Sequence, residues 1–220
     1  MKFETLNVSG FESAMRGMRN PLKSYDKADS KIEMIDMEFR PGVGKFIIGP
    51  NDYKLAKNLW KGGAEHRKWM RQVIVWVDIT APRYFFQEWD TYKIGTSANS
   101  ESTMHTLLKE DFDEHEFEWP KFDNADWDIE AAFKKYINVI RTVRDRANDD
   151  PAYKEYYQQI LKAMLPESFL QKRTVCLNYE VLATMYRQRK NHRLPQWREE
   201  FVSWVKTLPY SEFITGEFND

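Results

Sequence analysis

The sequence predicts an α+β fold, a mixed sheet packed with helices. Gln72 to Ile79 (QVIVWVDI) sets Val73, Val75, Val77 and Ile79 on one face and Ile74, Trp76 and Asp78 on the other. Both faces are apolar at the centre, as in an interior strand. Ala132, Phe133, Tyr136, Ile137 and Ile140 recur at helical spacing in a long segment. Strands and helices follow in uneven order, unlike a regular parallel βαβ array.

Lys2 to Ser9 alternates well enough for a strand. Lys31 to Arg40 (KIEMIDMEFR) reads as another, but its alternation slips by one residue between Ile32/Met34 and Ile35/Met37/Phe39, the mark of a bulge. The segment between them, with Asn20-Pro21, reads partly as loop, and Gly42-Val43-Gly44-Lys45 as a turn. Asn51 or Asp52 caps a helix carrying Leu55, Leu59 and Trp60, and Gly62-Gly63 ends it. After the interior strand, Thr80-Ala81-Pro82 is a helix entrance, since proline in the first turn gives up a donor that has no partner there. That helix is expected to reach about Lys93, with Gly95 at its end. A turn dense in hydroxyls follows: Thr96, Ser97, Ser100, Ser102 and Thr103 around Asn99 and Glu101. Such a turn suits a ligand's polar edge as well as it suits a plain polar loop.

The acidic and aromatic stretch to Trp127, with Phe117, Trp119 and Phe122, reads as an irregular connection. Asp128 caps the long helix Ile129 to about Ala147. A further helix runs from Asp149-Asp150-Pro151 to Leu165-Pro166. Gln171 to Leu177 is a short strand, and helices span Asn178 to Arg189 and Pro195 to Thr207.

The chain has 220 residues, 42% hydrophobic and 15% aromatic, enough for one well-buried domain, 1–220. A formal net charge of −1 argues against general nucleic-acid binding through a basic face. Cys176 is the one cysteine, which excludes a disulfide framework, and its apolar neighbours make it a small buried hydrophobe. No apolar run approaches a membrane span and no leader pattern opens the chain, so a soluble, cytoplasmic protein is expected. His66, His105, His115 and His192 show no ligand spacing, so no metal is expected. There is no dinucleotide fingerprint, phosphate loop or nucleophile elbow.

Three segments remain. His66 lies in a loop before the interior strand, as a surface histidine or as a ligand contact. Tyr92 and Lys93 lead into the hydroxyl stretch. Arg187, Arg189, Lys190, His192 and Arg193 crowd one helix end. A few cations complement a helix dipole, and the remainder suits an anionic ligand or partner.

In this order, the segments resemble the flavin-dependent thymidylate synthases, the thymidylate synthase complementing proteins. The resemblance runs from about Asp52 to Phe201: a helix and His66, the strand Val73 to Ile79, Ala81-Pro82, an aromatic helix with Trp89, then Leu165-Pro166, Asn178, Leu182, Arg189 and Gln196-Trp197. The family signature, Arg-His-Arg-x-x-Ser-x-Asn-Glu-x-Ser-x-Arg-Tyr, aligns with Thr91 to His105 with one residue inserted. Its Arg-His-Arg falls on Thr91-Tyr92-Lys93 counted forward, or on Tyr92-Lys93-Ile94 counted back from the serines. A family arginine falls on Glu180.

The resemblance implies a single-domain fold of this type, FAD as cofactor, and homotetramers with sites between subunits. It implies catalytic roles for Arg189, which would polarise the pyrimidine, and for Ser102. It implies substrate contacts from Lys162, Glu88, Trp89, Ser100 and Glu101. Cofactor contacts fall to His66, Tyr92, Lys93, Asn99 and Asn178. The expected reaction is methylation of dUMP to dTMP with reduced FAD and a folate one-carbon donor. The alternatives are a member that has lost the flavin reaction and serves as a nucleotide-binding or structural protein, or a pyrimidine-nucleotide site with different chemistry.

Overall fold

The computed structural model describes residues 1–37, 40–119 and 127–218; Phe39 and Phe122 lie outside them. The elements, in order, begin with β1 (Lys2–Ser9), α1 (Phe11–Met18), β2 (Lys31–Met37), β3 (Arg40–Ile47) and α2 (Pro50–Lys61). Next come β4 (Ile74–Pro82), α3 (Arg83–Trp89), β5 (Thr96–Ser100), α4 (Thr103–Thr106), α5 (Trp127–Asp149) and α6 (Lys154–Met164). The chain closes with β6 (Leu170–Asn178), α7 (Tyr179–Arg189), a π-helical stretch Gln196–Phe201, α8 (Val202–Thr207) and α9 (Glu212–Thr215). One sheet has the order β1-β4-β6-β5, and β2 and β3 form a separate antiparallel pair. The fold is α+β as the sequence predicts.

β4 is the interior strand. It pairs with β1 and β6 on its two edges, and the alternate residues Val75, Val77 and Ile79 share one face and are fully buried there. The slip in the second strand corresponds to a register shift between Ile35 and Met37.

Several local readings need correction. Gly42 to Lys45 lies within β3, paired with β2, and is not a turn. α1 replaces part of the expected loop: Phe11, Ala14, Met15 and Met18 recur at helical spacing and are buried. α2 starts at Pro50 with Gly49 as N-cap, and Asp52 is drawn inside to Arg19 instead of capping. β4 continues to Pro82, so Thr80 is a strand residue and Pro82 is the N-cap of α3. α3 stops at Trp89, four residues short of Lys93. The hydroxyl stretch is a strand, β5, because its backbone finds a partner in β6. α5 starts at Trp127, placing Asp128 in its first turn, and the last expected helix opens as a π-helix.

Contacts group the chain into two units. Unit 1 comprises 1–3, 78–91 and 98–174; unit 2 comprises 4–77, 92–97 and 175–220. Unit 1 has a core of Leu107, Phe112, Phe117, Ile137, Ile140 and Leu161, to which Leu165 and Phe169 belong. In unit 2, Phe11 packs edge-on to Tyr179 at 5.4 Å and Trp69 to Phe213 at 4.9 Å.

Candidate functional site

The expected site residues fall into two groups, one in each unit. In unit 1 they gather on β5, α4 and α6. Glu101 follows β5 and is fastened to β6 in both directions: its amide donates to the Lys172 carbonyl at 3.0 Å, and its carboxylate accepts from the Lys172 amide at 3.0 Å. Ser102 then sits at the N-cap position of α4 without making a side-chain capping bond, and it is exposed. Lys162, on α6, donates to the Thr103 hydroxyl, so the expected substrate-binding lysine meets the hydroxyl segment. Asn99 and Ser100 are exposed on β5. Glu88 is half-buried on α3, while Trp89 is only 2% exposed, its ring 5.8 Å from Phe85.

A cavity of about 260 Å³ opens beside this group, lined by Glu101, Thr103, Glu110, His115, Glu116 and Phe169, among others. Burial, reinforced by the nearby Glu110 and Asp113 charges, pushes the Glu116 carboxyl up to about 7. Burial, then the Glu101 charge, also raises Glu110. The cavity therefore holds a carboxyl able to take or release a proton near neutral pH. Glu110, His115 and Glu116 lie in the stretch that the sequence presents as an irregular connection, and no site residue is expected there. The available signal was their interleaving with Phe112 and Phe117, both buried.

In unit 2 the group forms around the end of α7. Arg189 Nε donates to the Tyr92 hydroxyl at 2.9 Å, and that hydroxyl donates to Gln188 Oε1 at 2.8 Å. The guanidinium carbon stands 5.5 Å from the Tyr92 ring centre and 5.0 Å from that of buried Trp197, within cation–π range of both. Gln188 is the partner the sequence did not suggest; its position beside Arg189 on an exposed helix end was the one cue. Asn178 is the N-cap of α7, accepting from the Val181 amide at 3.0 Å. His66 is exposed and packs on Gly62, where an added Cβ would come 3.0 Å from its Cδ2. Lys93 is exposed. Arg67 and Glu180 form an ion pair at 3.2 Å, so the acid that the sequence resemblance sets against an arginine has a cation of its own.

No protein-family model matches the chain, and no curated protein sequence does. Solved structures do. A flavin-dependent thymidylate synthase from Helicobacter pylori, complexed with FAD and dUMP, superposes with a TM-score of 0.69 at 17% identity, over 99% of this chain and 98% of that one. A second structure of the Helicobacter pylori enzyme with FAD and dUMP gives 0.68 at 18% identity, with the same coverage. The fold is that of the flavin-dependent thymidylate synthases. The likeness in fold covers 99% of the chain, beyond the stretch from Asp52 to Phe201 on which the sequence resemblance rests. In this setting of the flavin-dependent thymidylate synthase fold, the side chains differ at most positions, and fold alone does not assign a reaction.

Proposed function

We propose that the chain is a divergent member of the flavin-dependent thymidylate synthase family, one domain per chain, that binds dUMP and methylates it to dTMP with reduced FAD and a folate one-carbon donor. By the same resemblance it works as a cytoplasmic homotetramer. The observation that carries this reading is the Arg189 geometry on a fold shared along 99% of the chain. Making C5 of the pyrimidine nucleophilic puts negative charge toward O4, and a fixed guanidinium is suited to stabilise that charge. Ser102 offers a hydroxyl to the pyrimidine, and Lys162 a positive charge to the nucleotide phosphate.

FAD fits the expected residues in part. His66, Lys93 and Asn99 are exposed polar groups that would hold it. The Tyr92 hydroxyl is engaged inside the chain by Arg189 and Gln188, and Asn178 Oδ1 by the Val181 amide. When bound, reduced flavin supplies the hydride and the folate the carbon. The test is flavin absorbance of the purified protein after incubation with excess FAD, followed by assay for dTMP. Arg189→Ala is expected to cut dUMP-dependent turnover while leaving flavin bound; unchanged turnover rejects the role given to Arg189.

The second reading is a member that has lost the flavin reaction and retains a nucleotide site or a structural role. Two observations favour it: Glu180 is paired with Arg67 where the resemblance expects a cation, and Tyr92 is engaged by Arg189. On this reading excess FAD leaves no flavin absorbance, whereas dUMP or dTMP still raises the melting temperature, because a ligand that binds only the folded state stabilises it. No shift with any nucleotide favours the structural role.

A further inference from the structure

We propose that Tyr92 is a positioning residue for Arg189, and that it serves nucleotide binding through that arginine instead of touching a cofactor. The nucleotide part of this inference rests on the reading above; the Tyr92–Arg189 part does not.

The argument starts with the backbone. α3 ends at Trp89, so Tyr92 sits in the short connection to β5. That connection is pinned. The Thr96 hydroxyl donates to the Tyr92 carbonyl at 2.5 Å. Gly95 takes φ +76 and lies so close to Asn178 that an added Cβ would come 2.9 Å from its Nδ2. Only glycine adopts this conformation readily, and only glycine leaves room for the approach. A pinned backbone makes Tyr92 a fixed post.

The side chain then acts in one direction. A phenol has a single proton. Here it is given to Gln188 Oε1 at 2.8 Å, which leaves a lone pair of the Tyr92 oxygen to receive Arg189 Nε at 2.9 Å. Gln188 thereby sets the hydroxyl rotor, and the hydroxyl sets the guanidinium. The rings of Tyr92 and Trp197 supply two further contacts, at 5.5 and 5.0 Å. Arginine has many rotamers, and ordering them costs binding free energy. An arginine ordered before the ligand arrives avoids that loss.

Tyr92→Phe keeps the ring and removes the oxygen, and Gln188→Ala removes the partner that orients it. Two readouts are needed: phenylglyoxal labelling of Arg189 mapped by peptide mass spectrometry, and dUMP affinity by equilibrium dialysis. In both variants Arg189 labels faster than in the parent protein. Tyr92→Phe weakens dUMP binding by roughly fivefold, the scale of one ordinary net hydrogen bond. Tyr92→Phe combined with Arg189→Ala binds dUMP no worse than Arg189→Ala alone, because the two residues act as one unit. Unchanged labelling of Arg189 in both variants overturns the inference. So does an additive loss in the double variant, which a merely structural Tyr92 would give. Faster labelling in a protein that binds no dUMP supports the positioning contact and rejects the nucleotide reading.

Discussion

Asp52 and Arg19 form a buried ion pair: Arg19 Nε donates to Oδ1 at 2.7 Å and Nη2 stands 2.6 Å from the same oxygen, with both side chains no more than 4% exposed. The second carboxylate oxygen accepts from the Ser30 hydroxyl at 2.6 Å and from the Ser30 and Asp29 amides at 3.0 and 3.2 Å. Removing one partner leaves the other buried without compensation. Asp52→Ala is therefore expected to cost about 3 kcal/mol, read as a lower urea midpoint at unchanged slope. Burial pushes the Asp52 carboxyl upward, but bonds from Ser30, Arg19 and the Asp29 amide outweigh it and hold the carboxyl below its ordinary value. A depressed folded-state value means the stabilisation is present above the unfolded pKa and fades as pH falls through the folded one. The acid limb of the stability curve should be shallower in Asp52→Asn than in the parent.

Glu116 should act in the opposite sense. Its carboxyl is raised from 4.5 to about 7, first by burial and then by Glu110 and Asp113. The folded chain thus binds more protons than the unfolded one between those values, and stability from this group declines as pH rises from about 4.5 to 7. Glu116→Gln should flatten the melting temperature over that range and exceed the parent at pH 8. A parent-like decline in the variant would show that the proton resides elsewhere.

The start of α7 can be probed at two positions. Asn178→Ala removes the cap on the Val181 amide and should cost about 1 kcal/mol. Gly95→Ala meets the same residue from the other side, at 2.9 Å and with φ +76, and should lower the melting temperature as well. Because the two positions touch, their costs should not add, which a double variant tests by chemical denaturation.

On the proposed reading Lys162 meets the nucleotide's phosphate and not its base. Lys162→Ala should weaken dUMP binding by about tenfold, in line with loss of one charge-assisted bond, and leave deoxyuridine binding unchanged. Lys162→Arg should retain most of the dUMP affinity. Calorimetry with both ligands reads the difference, and an equal loss for both would remove Lys162 from the phosphate.

Much of this architecture is legible in the residues. β4 shows because both its faces are apolar, and Asn178 shows as a helix start because short polar side chains cap amides. β5 does not show, because its pairing is remote: nothing local to Thr96–Ser100 reveals the strand that begins at Leu170. α1 is legible in the helical spacing of Phe11, Ala14, Met15 and Met18, whereas Asn20-Pro21 just beyond it favours a loop. The contact between Lys162 and Thr103 joins residues 59 apart in the chain, and that between Arg189 and Tyr92 joins residues 97 apart. Such encounters are products of tertiary packing, and the periodicity of one segment carries no record of them.

β5 also has a consequence for how these molecules meet one another in solution. Among the described residues β5 is an edge strand, the last in the order β1-β4-β6-β5. Exposed strand borders invite a second chain to dock and propagate aggregates. Five residues of Thr-Ser-Ala-Asn-Ser make a short, weakly β-forming and apolar-poor border. The hydroxyls that suit a ligand's polar edge therefore also make β5 a poor template for edge-to-edge strand pairing, so their replacement by valine would test solubility as much as binding.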